Sequence, residues 1–143
     1  MKARINWQKN VAFEAKTESG HTFVMDGSPD VGGQNLGPRP MEMVLVGTGA
    51  CGAIDVILIL KKARQQVTDC YVDLDAERAT SDPKVFTRIH FHFVVSGHAL
   101  DRAKVARAIS LSADVYCSAS AMLAKTAAIT HDFEIIDADA PPR

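Results

Sequence analysis

A 23-residue apolar segment, residues 40–62, constrains this chain more than any other feature. It begins at a proline, which suits the first position of a helix, and it ends at Lys61 and Lys62, which suit the carbonyl end. Its side chains are apolar or small on every side, so the pattern predicts a buried helix about 35 Å long. Three glycines close to Cys51 lower helix stability, and we expect a second helix or a ligand to pack closely there.

The same segment raises the question of a membrane span. Residues 43–60 carry one charge, Asp55, and reach the minimum length for a transmembrane helix. The rest of the chain shows alternating strand patterns, which need a second layer to pack against, and a central helix would supply that layer. We therefore predict the central helix of a globular protein and no membrane partner.

Length and charge limit the remaining possibilities. A chain of 143 residues can bury its own core, and we predict a single domain over residues 1–143 with a frayed tail at 137–143. The 16 basic and 17 acidic residues give a net charge of −1, which provides no field for nucleic acid. The first residues lack the apolar run of a signal peptide, so we expect a cytoplasmic protein whose three cysteines form no disulfide framework.

Alternation of apolar and polar residues predicts the other elements. Three short strands precede a loop rich in glycine and proline, residues 26–39, and the long helix follows it. Next come two long strands, a helix capped by Asp101, a short helix from about Ser118, and a last strand. The predicted strands are residues 2–8, 11–16, 22–25, 67–78, 85–96 and 129–136. This order, β-β-β-α-β-β-α-α-β, indicates an α+β fold with mainly antiparallel pairing.

Two cysteines are the candidate reactive residues. Cys51 and Cys117 both lie in helical segments dense in small residues, which leave room for a substrate to reach sulfur. The alternative is an inert pair, because free cysteine is among the residues most often buried. Cys117, at a helix start, has the better setting for a thiolate, since the helix dipole offers little to a thiol in mid-helix. Cys70 shares a strand face with apolar residues, and we interpret it as structural.

The histidines give a weaker signal. His90 and His92 share one face of a predicted strand, a spacing that can bind a metal, but no nearby cysteine or carboxylate completes a zinc pattern. We interpret them as part of an exposed sheet face and keep a metal-binding protein as one alternative. His131 lies among apolar residues, and we interpret it as a hydrogen-bonded core histidine.

The residues around the two cysteines resemble a known family. Residues 37–51, GPRPMEMVLVGTGAC, followed later by Tyr116-Cys117, look like the OsmC/Ohr superfamily, and within it the small bacterial YhfA-like branch. The resemblance covers nearly the whole chain. It implies an intertwined homodimer, in which antiparallel sheet wraps around long central buried helices and a second helix carries Cys117.

The resemblance also implies an activity. Better-known members of the superfamily are thiol peroxidases that reduce organic hydroperoxides. By this resemblance Cys51 attacks the peroxide as a thiolate and becomes a sulfenic acid, Cys117 resolves it as a disulfide, and an external dithiol reductant restores both thiols. The resemblance implies no metal and no bound cofactor.

The sequence departs from the family pattern near Cys51. Active members have a glutamate ten residues before the cysteine, where this chain has Met41, and Glu42 is the neighbouring carboxylate. They also have an arginine that lowers the pKa of the thiol, for which Arg39 of the same or a partner chain is the candidate here. The alternative function is a non-catalytic dimer that binds a small hydrophobic ligand in the cleft beside Cys51.

Overall fold

The computed structural model describes residues 1–139, and its helices and strands follow the predicted order to within two residues at each end. The strands are β1 (Ala3–Lys9), β2 (Ala12–Thr17), β3 (Thr22–Met25), β4 (Gln66–Arg78), β5 (Phe86–His98) and β6 (Ala128–Asp137). The helices are α1 (Pro40–Lys62), α2 (Arg102–Leu111) and α3 (Ser118–Leu123). The α+β class is confirmed. A 3₁₀ turn at Pro29–Val31 and a π-helical segment at Ser112–Tyr116 add to the predicted elements.

The chain forms two compact units, and the boundary between them falls inside α1. The first unit, Met1–Val46, contains an antiparallel sheet in the order β1-β2-β3. The second unit, from Gly47 onward, contains a sheet in the order β4-β5-β6. There are thus two three-stranded sheets among the described residues.

One strand pair breaks the predicted antiparallel pattern. β4 and β5 pair antiparallel, but β5 and β6 pair parallel, with Phe93 opposite Phe133. The reason is the connection, because α2 and α3 carry the chain back along the sheet before β6 begins, as parallel pairing requires. The prediction of mainly antiparallel pairing is correct for the other three pairs and wrong for this one.

Glycines allow α1 to lie close to the second sheet. A Cβ placed on Gly49 would be 2.5 Å from Leu74 Cδ1, and one on Gly52 would be 3.6 Å from Phe93 Cζ. Length and composition alone would let α1 cross a membrane. Within the second unit the helix packs against β4 and β5, which gives the alternating strands the second layer they need. The close approach expected near Cys51 is therefore made, in part, by the sheet.

α1 is buried on one side only. Its buried residues are Thr48, Gly49, Gly52, Val56 and Leu60. Ile54 and Leu58, one turn apart, are 59% and 51% exposed. The predicted burial on every side is therefore wrong for the single chain, because the sheet of this unit covers one face of the helix. In the first unit every residue of β1 is exposed, including Trp7.

β5 and α2 form the centre of the second unit. β5 alternates buried apolar side chains such as Ile89, Phe91 and Phe93 with half-buried polar ones. α2 begins where predicted, since the Asp101 carboxylate accepts N–H groups from Ala103 and Lys104 at 2.8 and 3.3 Å. Residues on the inner face of α2 and the following turn are fully buried: Val105, Ala108, Ile109 and Ser112.

The last strand runs one residue further than predicted. Asp137 pairs with Gly97 and ends β6, and the Ala138 N–H donates to the Gly97 carbonyl at 3.0 Å. Asp137, the first residue of the predicted frayed tail, therefore belongs to the sheet. The rest of that prediction, residues 140–143, lies outside the described residues.

Candidate dithiol site

The site is built where α1 meets the segment between α2 and α3. Cys51 lies in the middle of α1, and Cys117 ends the π-helical segment and caps α3, as predicted for a thiol at a helix start. The Ser112 hydroxyl, which is buried, donates to the Gly52 carbonyl at 3.0 Å. That bond joins the turn of α1 next to Cys51 to the segment that ends at Cys117.

The π-helical segment sets the direction in which Cys117 points. The Cys117 N–H donates to the Ser112 carbonyl, five residues back, at 2.9 Å. Cys117 itself has an extended backbone, which ends the π-helical segment. A π-turn of this kind inserts one extra residue into a helix and occurs often at functional sites. The sequence does not reveal the π-turn, because the extra residue interrupts the helical repeat of apolar residues.

Three potential ligand atoms meet at the site. The sulfur atoms of Cys51 and Cys117 and a carboxylate oxygen of Asp55 all lie within 4.8 Å of one another. Both cysteines are free, so the two sulfur atoms face each other as thiols. Asp55 follows Cys51 by one helical turn, so both side chains share a face of α1. The structure therefore brings the two predicted cysteines together.

Backbone N–H groups also reach both sulfur atoms. The Ser120 N–H donates to Cys117 Sγ at 3.4 Å, and the Ala119 N–H donates to Cys51. Hydrogen bonds of this type favour the thiolate form of a cysteine. The first turn of α3 therefore serves both thiols.

Burial and neighbouring groups nevertheless raise the pKa of Cys51. Burial is the largest cause, and the Cys117 thiol and the Asp55 carboxylate raise the pKa further, while the Ala119 N–H lowers it. The free thiol of cysteine already titrates above neutral pH, at about 8.5. In the chain by itself these surroundings therefore favour the protonated thiol of Cys51 over the thiolate.

Asp55 is the site residue that the sequence analysis missed. Its Oδ2 atom is buried and has no hydrogen-bond partner among the described residues. In the sequence Asp55 stands out only as the one charge of residues 43–60. The available signal was its four-residue spacing from Cys51, which places both on one helical face.

Known proteins show which family has this arrangement. The family model described as OsmC-like protein matches residues 32–132, which include both cysteines. This chain belongs to the OsmC-like family. The resemblance stated from the residues around Cys51 and Cys117 is thereby confirmed.

Individual relatives support the family at three levels of similarity. Protein YhfA of Escherichia coli strain K12 is 46% identical over 138 residues, which are 96% of this chain and all of that protein. A hypothetical protein from Aquifex aeolicus VF5 is 28% identical with a TM-score of 0.84, over 96% of this chain and 97% of the other. An organic hydroperoxide resistance protein OsmC from Legionella pneumophila is 14% identical with a TM-score of 0.72, over 93% and 95% of the two chains, and shares the fold.

The predicted arginine and carboxylate of this OsmC-like chain are paired with each other. The Arg39 backbone N–H donates to Glu42 Oε2 at 2.8 Å, and the Arg39 guanidinium lies 3.5 Å from Glu42 Oε1. Both side chains are about half exposed, and both lie in the first unit, whereas Cys51 lies in the second. Met41, at the position of the family's glutamate, is half-buried. Arg39 and Glu42 remain predicted site residues.

A cavity of about 520 Å³ reaches Cys117 from the side of β6. Its wall combines small apolar residues with a few polar ones, among them Asp114, Ser120, Thr130 and His131. His131 is only half-buried and also lines a second cavity, beside α2. The interpretation of His131 as a core histidine is therefore wrong, because β6 is an edge strand whose inner face α2 and α3 cover incompletely.

Cys70 lies apart from the site, on β4. It is half-buried on the face that also carries Val72 and Leu74, as the alternation predicted. Burial, followed by the nearby Asp69 carboxylate, raises the pKa of Cys70. This setting fits a structural thiol.

His90 and His92 are held by carboxylate and hydroxyl groups of β6. Asp132 Oδ1 lies 2.5 Å from His92 Nδ1 and 3.4 Å from His90 Nε2, and His90 Nδ1 lies 2.8 Å from Thr130 Oγ1. Within residues 1–139, the group of three or more ligand atoms close enough to hold a metal is the dithiol with Asp55, and it includes neither histidine. The two imidazoles belong to a half-exposed sheet face.

Proposed function

We propose that this OsmC-like chain is a two-cysteine thiol peroxidase that reduces organic hydroperoxides. The observation that carries the proposal is the proximity of the Cys51 and Cys117 sulfur atoms, which lie within 4.8 Å of each other, so that a resolving thiol stands beside an attacking one. Relatives that share the fold include organic hydroperoxide resistance proteins, such as that of Legionella pneumophila.

The reaction follows from the two thiols alone. The Cys51 thiolate attacks the peroxide oxygen, which breaks the O–O bond, leaves Cys51 as a sulfenic acid and releases an alcohol after protonation. Cys117 then attacks the Cys51 sulfur, forms the disulfide and releases water. An external dithiol reduces the disulfide and is itself oxidised. A reducing cytoplasm would keep the resting protein in the dithiol form.

The first step requires a positive charge near Cys51. Burial and Asp55 raise the pKa of this thiol, so a cation must offset them if a useful fraction is to be thiolate. Arg39 is our candidate, oriented by its pairing with Glu42. About three helical turns of α1 separate Arg39 from Cys51 in the sequence, so we propose that the arginine of a partner chain supplies the charge.

That arrangement requires a homodimer. Exposed apolar side chains in both units support it, with Trp7 at 67%, Ile54 at 59% and Leu58 at 51% exposure. Monomeric proteins seldom expose large apolar patches, because covering them with a second subunit is favourable. Leu58→Glu should yield monomers by sedimentation at micromolar concentration, whereas a folded wild-type monomer under the same conditions would contradict the dimer.

The alternative is a non-catalytic dimer that binds a small hydrophobic ligand in the cleft beside Cys51. The raised pKa of Cys51 favours this alternative, since a protonated thiol is a poor nucleophile. The 520 Å³ cavity that reaches Cys117 would then hold a ligand, and its partly apolar wall suits one.

Thiol counting separates the two functions. Reduced protein, kept metal-free by a chelator, is treated with one equivalent of cumene hydroperoxide, and free thiols are titrated before and after. A peroxidase loses two thiols per chain, Cys51→Ser loses none, and Cys117→Ser stops after one turnover with a sulfenic acid on Cys51. Cys70→Ser is the matched control and should react as wild type does.

Two results decide the remaining points. If wild type loses no thiol, the peroxidase proposal fails and the ligand-binding dimer replaces it. Arg39→Ala should slow the first step more than the recycling of the disulfide, and Arg39→Lys should restore part of the rate. If Arg39→Ala reacts as fast as wild type, another cation activates Cys51.

A further inference from the structure

We propose that the reduced cluster of Cys51, Asp55 and Cys117 binds a thiophilic divalent cation of the Zn²⁺ class. This goes beyond peroxide reduction. It concerns the two cysteines in their reduced form, together with the Asp55 carboxylate. The proposal stands on the arrangement of their ligand atoms, on a buried carboxylate oxygen without a hydrogen-bond partner among residues 1–139, and on the backbone N–H groups beside the two sulfurs.

The geometry is close to that of a tetrahedral site. With Zn–S bonds of about 2.3 Å and a Zn–O bond of about 2.1 Å, tetrahedral angles place the sulfurs about 3.7 Å apart and each about 3.6 Å from the oxygen. The three atoms here all lie within 4.8 Å of one another, so side-chain rotations small enough to leave the backbone in place would close the site.

The donor set selects the kind of metal. Two thiolates and one carboxylate suit a borderline or soft cation and are unlike the all-oxygen sites of Mg²⁺ or Ca²⁺. Three protein ligands leave the fourth tetrahedral position for water or another small ligand, as in open zinc sites. Cys51 and Asp55 are both half-exposed, which provides a path for the ion.

A cation would also complete the hydrogen bonding and charge of the cluster. Asp55 Oδ2 is buried and has no hydrogen-bond partner in the described part of the chain, a costly state for a carboxylate unless it is protonated or faces a cation. The N–H groups of Ala119 and Ser120 already point at the two sulfurs. Such second-shell hydrogen bonds orient ligands and tune the metal in thiolate sites.

Metal binding and peroxide reduction would exclude each other at this site. A thiolate that ligates the ion is less free to attack peroxide, and a disulfide between Cys51 and Cys117 removes two of the three ligands. The ion is therefore expected to bind the reduced form only.

Cobalt is the probe for the site. Reduced, metal-free protein is titrated anaerobically with Co²⁺, whose visible spectrum reports four-coordinate geometry and whose thiolate charge-transfer bands report sulfur ligands. We expect one ion per chain, displaced by Zn²⁺. Cys51→Ser and Cys117→Ser should each weaken binding by about 100-fold or more, and Asp55→Asn by about tenfold. Cys70→Ser and His92→Ala are controls and should bind as wild type.

A second measurement uses the wild-type protein, so that the test does not depend on folded variants. Zn²⁺ should protect Cys51 and Cys117 from alkylation, as read by mass spectrometry, and should leave the rate at Cys70 unchanged. If the alkylation rates of Cys51 and Cys117 are the same with and without Zn²⁺, the proposal is overturned. A Co²⁺ affinity that Asp55→Asn leaves unchanged overturns the three-ligand site.

Failure of this proposal is distinct from failure of the peroxidase proposal. Peroxide consumption is measured with a chelator present, and cobalt binding is measured without peroxide. A protein that binds Co²⁺ and consumes no peroxide contradicts the peroxidase alone, and the reverse result contradicts the metal site alone.

Discussion

The loop around Asp26 and the dithiol around Asp55 use the same side chain in opposite ways. Asp26 is 2% exposed and accepts backbone N–H groups from Gly27, Gln34 and Leu36 at 2.8, 2.8 and 3.1 Å. Asp55 lies beside two thiols, and its buried Oδ2 has no hydrogen-bond partner among residues 1–139. The first carboxylate has donors to satisfy it, and the second has neighbours that could share a cation with it.

The difference extends to what each carboxylate does to its surroundings. The N–H groups of Leu36 and Gln34 hold the pKa of Asp26 below its ordinary value, so its charge is an integral part of the loop at neutral pH. The charge of Asp55 raises the pKa of Cys51. A carboxylate that stabilises a loop and one that perturbs a thiol can therefore be told apart by the groups that face them.

The largest expected effect is on thermal stability. Asp26→Asn places an amide NH₂ or a single carbonyl where three N–H groups need acceptors, and we expect the Tm to fall by about 5 °C or more. Asp55→Asn changes a carboxylate whose buried Oδ2 has no hydrogen-bond partner among the described residues, and we expect its Tm to stay within about 2 °C of wild type. Calorimetry of the metal-free proteins measures both. An equal fall in the two variants would end the contrast drawn between the two carboxylates.

Acid should loosen the Asp26 loop before it affects neighbouring turns. Because the pKa of Asp26 is lowered on folding, its contribution is fully present above its ordinary value of 3.8 and is lost as the pH falls through the lower folded-state value. Hydrogen exchange at the Gln34 and Leu36 amides, corrected for intrinsic rates, should therefore accelerate below pH 3.8. The Thr17 amide, which donates to the His21 carbonyl, is the control and should change less.

Local signals explain what the sequence could predict. The bounds of α1 follow from Pro40 at one end and Lys61 and Lys62 at the other, and the start of α2 follows from the Asp101 cap. These features depend on residues a few positions apart, so a pattern reveals them. The pairing of Cys51 with Cys117 came from the family resemblance, because nothing local connects them.

Features that depend on distant contacts were missed. The parallel pairing of β6 depends on where α2 and α3 return the chain, and the half-exposure of α1 depends on which of its faces the sheet covers. Asp55 was misread for the same reason. Its role depends on Cys117, which is far away in the sequence and close in space. The four-residue spacing between Cys51 and Asp55 becomes informative only once Cys117 is known to lie beside them.

A smaller effect is expected at the thiol beside Asp55. Removing the carboxylate charge by Asp55→Asn should lower the pKa of Cys51 and raise its alkylation rate at neutral pH by about threefold, since burial remains the larger cause of the shift. Iodoacetamide labelling of the metal-free protein, followed by mass spectrometry, gives the rate at each cysteine. Cys70, whose pKa is raised by burial and by Asp69, is the internal control and should be slower than Cys51 in every variant. An unchanged rate at Cys51 would mean that the Asp55 carboxylate does not act on this thiol.

The smallest effect concerns a third carboxylate, which lies between the two extremes. Asp132 is 61% exposed, and its pKa is lowered chiefly by the hydrogen bond with His92 and to a lesser extent by His90. His92→Ala should return the pKa of Asp132 toward its ordinary value of 3.8, as followed by carboxyl carbon chemical shifts, and His90→Ala should move it less. The stabilisation is present above that value and lost below it, but water screens a pair this exposed, so the Tm at neutral pH should not change measurably. A clear fall in Tm for His92→Ala would show that the hydrogen-bond partner of a carboxylate affects stability more than its burial does. The contrast between Asp26 and Asp55 would then rest on their hydrogen-bond partners alone.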